Sequence, residues 1–234
     1  MYKNSFDKIA KKYCKEAILQ KQIADDLFKF IFNGQHFEKI VDLGCGTGFL
    51  GEKFLDYSQK ICFVDLHKEM LDECIKASNA EYIKLDFNDN LLDILDKNTT
   101  AISSMSLQWA TNLAETLKII AQNSASFGFA IPIVGTFFEL YKKIEDHDIN
   151  IKKFNFYTQK QITDMLAIYN CEHFVKNYQF QFDNIKDLFR HLKQIGVNYT
   201  SLSSGFSKIK KLLQNKDAIL YNYNVLFIKN KTKS

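Results

Sequence analysis

Residues 40–51 read Ile-Val-Asp-Leu-Gly-Cys-Gly-Thr-Gly-Phe-Leu-Gly, an apolar strand running into glycines at alternate positions, Gly44, Gly46 and Gly48. A glycine at a strand end can turn with positive φ, and lacking a Cβ it lets a ligand approach the main chain closely. Asp42, inside an otherwise apolar strand, is out of place unless it faces that ligand. The segment Phe49 to Tyr57 reads as the opening of a helix, whose unpaired amides favour negative charge nearby. The pattern describes a nucleotide-sized ligand held against bare backbone.

Two such ligands fit. Gly46 to Gly51 matches the dinucleotide spacing G-x-G-x-x-G, with Asp65 close to 20 residues on. In that fingerprint the first glycine stands directly at the strand end, whereas here Gly44 holds that place and the motif starts late. The register therefore favours the methionine carboxylate and ribose of S-adenosylmethionine over a dinucleotide. A purely structural glycine turn is the third reading.

Outward from the loop, apolar residues recur at helical spacing through 5–32 (Phe6, Ile9, Tyr13, Ile23, Leu27, Ile31), with a break expected near Ala17–Gln20. Strands are expected at 39–43, Ile61 to Val64, Glu81 to Leu85, Thr100 to Met105 and Phe127 to Val134. Helices are expected at Leu66 to Ala77 and Thr111 to Asn123. Strands alternating with helices define an α/β doubly wound parallel sheet, with its ligand crevice at the carboxyl ends of the strands. Further on, Phe138–Ile144, Gln159–Ile168 and Asn184–Ile195 read as helices, and Glu172–Phe182 and Asn222–Ile228 as strands. The whole chain, 1–234, reads as one domain, with 136–156 and 183–220 as insertions forming a cap.

Asp42, Gly44, Asp65, Asp86 and Ser103–Ser104 all fall at strand ends on one face. Asp65 is placed to accept from both ribose hydroxyls, a charge-assisted pair, or else to cap the helix after it. Met70 could pack on adenine or in the core. Asp86 could accept from the adenine amino group or sit in a solvated turn. Cys45, Gly46, Gly48, Leu66 and Phe87 complete the expected cofactor set. The segment from Ser103 to Trp109 follows the fourth strand, where a methyl acceptor would meet the sulfonium. It lacks the Asn/Asp-Pro-Pro-Tyr arrangement that holds a nucleobase amino group.

Composition bounds the rest. The chain has 234 residues, 46% of them hydrophobic, enough for one sizeable core. No run approaches the roughly 18 apolar residues of a membrane helix, and Lys3, Asp7, Lys8, Lys11 and Lys12 break any signal-peptide pattern. The 5 cysteines lack C-x-x-C or partner histidines, so a cytoplasmic chain with reduced thiols and no metal is expected. The net charge of +4 is mild, and no aromatic–basic stripe suggests nucleic acid. Arg190 is the sole arginine, hence the one possible bidentate guanidinium clamp.

Several segments together resemble the malonyl-[acyl-carrier protein] O-methyltransferases of biotin synthesis. FDKIAKKYCKEAILQKQIADDL, VDLGCGTG with Asp65 and Met70, SLQW (106–109), GTFFEL (135–140), the run from Ile149 to Phe156, and LFRHLKQIGVN (188–198) stand in that family's order. Two loops depart from it: NSASFG replaces a basic-Pro-Gly-Gly turn, and FNDNLLD replaces an acidic-Leu-Pro segment. The resemblance implies a class I methyltransferase sheet whose last strand is antiparallel, with an N-terminal helical lid over 1–34. It implies S-adenosylmethionine as methyl donor, S-adenosylhomocysteine as product, and malonyl-acyl-carrier protein or malonyl-CoA as acceptor of a monomer. Tyr13 would close over the sulfonium, and Trp109 would border the acceptor. Arg190, with His191 and Lys193, would hold the malonyl group, or else Arg190 makes a structural ion pair or a carrier-protein contact. Lys152, Lys153, Lys208, Lys210 and Lys211 would steer an acidic carrier, or else form a solvated face. Other acceptors, a small carboxylate or a quinone ring, stay open, as does a relative that keeps the fold without methylating.

Overall fold

The computed structural model describes residues 17–149, 153–194, 212–214 and 217–231. Tyr13, Lys152, Lys208, Lys210 and Lys211 lie outside the described residues, as does the expected lid before Ala17.

Seven strands form one sheet: β1 (Phe37–Leu43), β2 (Ser58–Asp65), β3 (Ala80–Lys84), β4 (Thr99–Ser104), β5 (Ser126–Pro132), β6 (Cys171–Phe182) and β7 (Ile219–Asn230). Their order is β3-β2-β1-β4-β5-β7-β6. The pairings β1–β2, β1–β4, β2–β3 and β4–β5 are parallel, while β7 runs antiparallel to both β5 and β6. Between them stand α1 (Ile18–Ile31), α2 (Lys68–Asp72), α3 (Leu113–Asn123), α4 (Phe138–Asp146), α5 (Gln159–Met165) and α6 (Ile185–Gln194). This is the expected doubly wound sheet with its antiparallel last strand.

Side-chain alternation along the strands fills two apolar layers. Ile40, Ile61, Phe63, Ile102 and Phe227 join the layer under α1, α4 and α6. Val41, Leu43, Val64, Phe129 and Leu226 join the layer under α3 and α5. On α1, Leu19, Ile23, Ala24, Leu27 and Ile31 are buried, the stripe that the periodicity called for. The helix lies close to the sheet: a Cβ at Gly128 would stand 2.4 Å from Ile31 Cδ1. Its other anchor is Asp26, whose Oδ2 accepts from Lys176 at 2.8 Å and from the Tyr178 hydroxyl at 2.6 Å.

Two expected helices are shorter or tighter than the pattern suggests. Instead of Leu66–Ala77, only Lys68–Asp72 is α-helical. Lys76 Nζ takes the Leu71 carbonyl and the Tyr82 hydroxyl takes that of Ile75, which ends the helix early. After the glycine loop, Gly51–Tyr57 is a 3-10 helix rather than an α-helix. The Gly51 amide is committed to the Asp42 carboxylate at 3.0 Å. The break near Ala17–Gln20 resolves into a helix that starts at Ile18 and runs through Gln20.

Candidate functional site

The carboxyl ends of β1, β2 and β4, with the turn after β3 and one face of α1, enclose a cleft of about 570 Å³. That volume suits a cofactor-sized ligand, for which roughly 300–1,000 Å³ is usual.

At its centre, Gly44 turns with φ +65°. A Cβ there would fall 1.7 Å from Ser106 Oγ and 2.5 Å from Ser106 Cβ, so no other residue fits without moving that wall. Asp65, ending β2, accepts from the Gly46 amide through Oδ2 and from the His67 amide through Oδ1, both at 2.9 Å. The first bond ties β2's end to the glycine loop; the second shapes the turn into α2. Burial raises both inner carboxyls: Asp42 is pushed up to about 7 by desolvation and the neighbouring Asp65, despite the Gly51 amide, and Asp65 is also raised. Burial likewise holds the Cys45 thiol well above its usual range, with Cys74 adding to the effect. Asp86 Oδ1 accepts from the Asn88 amide at 3.0 Å and from Asn88 Nδ2 at 2.7 Å, closing the turn after β3.

Most expected cofactor residues meet here: Asp42, Gly44, Cys45, Gly46, Asp65, Leu66, Met70, Asp86 and Phe87 all line the cleft, and so does Trp109. Two do not. Gly48 packs between Phe63 and Cys74, where it serves the turn behind the cleft (φ +88°). Ser103 is fully buried and donates to the Leu43 carbonyl at 2.8 Å; the period of two along β4 presents its neighbour Ser104 instead.

The acceptor side is assembled differently. Trp109 meets Phe154 edge to face at 5.4 Å. Arg190 is on α6, 60% exposed, with its guanidinium on Asp187 at 2.6 Å, and it does not line the cleft. His191 lies against the Phe182 and Tyr221 rings, away from the cleft as well. Neither 136–149 nor 153–156 nor 183–192 lines the cleft directly. Lys153 pairs with Glu145 and lies 5.4 Å from the Tyr141 ring centre.

Sequence reasoning missed Gln20 and Ala24 of α1, Phe49 and Leu50, His67, Asn88 and Asp89, and Thr111, whereas Ser104, Met105 and Ser106 belong to the segment it expected at the acceptor side. Gln20 carried a signal: it is a polar residue on the apolar stripe of an amphipathic helix. No group of three or more His, Cys, Asp or Glu side chains that could hold a metal ion occurs among the described residues. No helix among them is long and apolar enough to cross a membrane.

The lining also separates the two nucleotide readings. Asp42, Asp65, Asp86 and Asp89 line the cleft, and no Lys or Arg does so among the described residues. A pyrophosphate would meet like charge there, while a sulfonium or an ammonium meets its opposite.

Comparison with known proteins agrees. A family model described as a methyltransferase domain matches residues 40–125. The YcgJ protein of Bacillus subtilis superposes with a TM-score of 0.60 at 13% identity, covering 91% of this chain and 99% of its own. Magnesium protoporphyrin IX methyltransferase of Synechocystis PCC 6803, crystallised with SAH, gives 0.56 at 11% identity over 90% of this chain and 85% of its own. Fold and domain together make this chain a class I S-adenosylmethionine-dependent methyltransferase.

Within that class its similarity runs to enzymes named malonyl-[acyl-carrier protein] O-methyltransferase. The one from Neorickettsia risticii is 22% identical over 95% of this chain and 92% of its own length. The one from Acetivibrio thermocellus is 29% identical over 77% and 68%.

Proposed function

We propose that this enzyme methylates the free carboxylate of a malonyl thioester carried on an acyl-carrier protein. The observation that carries the reading is the similarity to enzymes of that name, which for the Neorickettsia risticii enzyme spans 95% of this chain and 92% of its own length.

The residues fit the donor. A bare-backbone turn at Gly44, an acidic lining and the Asp65 carboxylate suit a cationic nucleoside. When bound, S-adenosylmethionine supplies an electrophilic methyl on a sulfonium. Asp65 would accept from ribose hydroxyls and Asp86 from the adenine amino group. Leu66, Met70 and Phe87 would pack on the base, with the Gly44–Gly46 backbone under the methionyl part.

The acceptor asks little of the protein. A malonyl carboxyl, with a pKa of roughly 3–4 like other carboxyls, is ionised at neutral pH, so no general base is needed. The task is alignment and exclusion of water; alignment can supply roughly 7–11 kcal/mol. Trp109, backed by Phe154, would wall the acceptor side. Arg190 would hold the malonyl carboxylate or thioester, helped by His191 and Lys193, with Tyr13 closing over the sulfonium. Its present partner Asp187 must then be exchanged for the substrate. Lys152, Lys153, Lys208, Lys210 and Lys211 would steer the acidic carrier to a monomeric, cytoplasmic enzyme.

The test is methyl transfer from labelled S-adenosylmethionine to malonyl-carrier protein, malonyl-CoA and acetyl-carrier protein. A base-labile label on the malonyl forms alone is expected. Bound S-adenosylmethionine without transfer to either malonyl thioester would keep the class and discard this acceptor.

A further inference from the structure

We infer that Gln20 of α1 reads the amino-acid end of the methyl donor, so that the helix over the cleft takes part in cofactor binding; the inference rests on the S-adenosylmethionine reading above. Gln20 lines the cleft, is only 9% exposed, and its Oε1 has no hydrogen-bond partner. A buried acceptor left without a partner is costly, and a bound ligand that supplies one removes that cost. Ser104 Oγ, at the end of β4, lines the same cleft and is unpartnered too. Two elements thus bring unused polar atoms to one space.

Topology says which part of the ligand they face. Asp65, Leu66 and Met70 follow β2, and Asp86 and Phe87 follow β3, so ribose and base belong on that side of the sheet. β1 and β4 lie on the other side, and α1 packs on β4, β5 and β7. Gln20 therefore sits at the methionyl end. The chemistry matches: a primary amide offers an acceptor and two donors, and a zwitterionic amino acid presents an ammonium and a carboxylate. Gln20 is also held in place, because α1 is fixed at Asp26 by Lys176 and Tyr178 and at Ile31 against β5.

The experiment is calorimetric binding of S-adenosylmethionine, S-adenosylhomocysteine and 5′-methylthioadenosine, which lacks the amino-acid end, to wild type, Gln20→Met and Gln20→Leu. Methionine matches the length of glutamine and deletes only the amide, which guards against a folding failure of the leucine variant. Both variants are expected to weaken S-adenosylmethionine and S-adenosylhomocysteine about tenfold or more, as loss of a charge-assisted bond should, and to leave 5′-methylthioadenosine within about twofold. Equal weakening of all three ligands would make Gln20 a structural residue and overturn the inference, as would unchanged S-adenosylhomocysteine affinity. Wild type that binds none of the three would overturn the cofactor reading itself.

Discussion

Asp65 Oδ2 accepts the Gly46 amide at 2.9 Å, so the end of β2 and the glycine loop after β1 are one unit. A single carboxylate shapes the loop and faces the space where a ribose would lie. Losing it should therefore disturb binding in two ways. Asp65→Asn keeps one oxygen for the loop but loses the charge, and should weaken S-adenosylhomocysteine roughly ten- to hundredfold. Calorimetry checks this; an affinity within twofold of wild type would remove Asp65 from the ribose site.

Gly44 admits no side chain. In Gly44→Ala the new methyl collides with Ser106 and the backbone keeps a left-handed φ. The variant should melt several degrees lower and bind cofactor at least about tenfold more weakly, since strain of roughly 1–3 kcal/mol is stored at the ligand's seat. The companion Ser106→Gly, which clears the space, should restore part of the affinity to Gly44→Ala.

Asp42 predicts a pH dependence with a definite sign. Its carboxyl is raised from 3.8 to about 7 by burial, so between these values the folded state keeps a proton that the unfolded chain releases. Its contribution to stability is full below about pH 4, falls as pH rises, and is lost above about pH 7. Asp42→Asn removes that slope, and the variant should gain most on wild type near pH 8, by a few kcal/mol at about 1.4 kcal/mol per unit. Asp65 retains a slope of the same sign. Denaturant unfolding at pH 5 and pH 8 measures it; an equal difference between variant and wild type at both values would refute the assignment.

The same titration bears on the ligand. A cationic donor favours ionised Asp42, so S-adenosylmethionine affinity of the wild type should fall as pH drops below about 7, by up to about tenfold per unit. Asp42→Asn should bind more weakly at pH 8 and show a flatter profile.

Arg190 is bonded to Asp187 within the same helix, and an exposed pair of this kind contributes little to stability. Arg190→Lys should leave the melting temperature unchanged. Turnover of a malonyl thioester should drop about tenfold or more, because lysine cannot form a two-bond clamp. Unchanged kinetics would take Arg190 out of the substrate site.

The local pattern determined a great deal. Apolar runs at strand length, the alternate glycines and the carboxylates at strand ends placed the sheet, its ligand edge and residues such as Asp42, Asp65 and Met70. These are properties of short stretches, whose periodicity reports directly which face is buried. The family-like segments extended that reading to the antiparallel β7.

Tertiary structure decided the rest, for reasons of contact that no single stretch contains. Ser103 and Ser104 are equivalent as letters; the pleat of β4 sends one to Leu43 and the other to the cleft. Gly48 belongs to the motif, yet Phe63 and Cys74 claim its surroundings. The helix after β2 stops early as Lys76 takes the Leu71 carbonyl within it and Tyr82 takes the Ile75 carbonyl just beyond its end. Gln20 lies far along the chain from the glycine loop and reaches the cleft only because α1 folds back over β4 and β5. The sequence by itself determined the sheet and the cleft at its carboxyl edge; packing across the chain decided which side chains line that cleft.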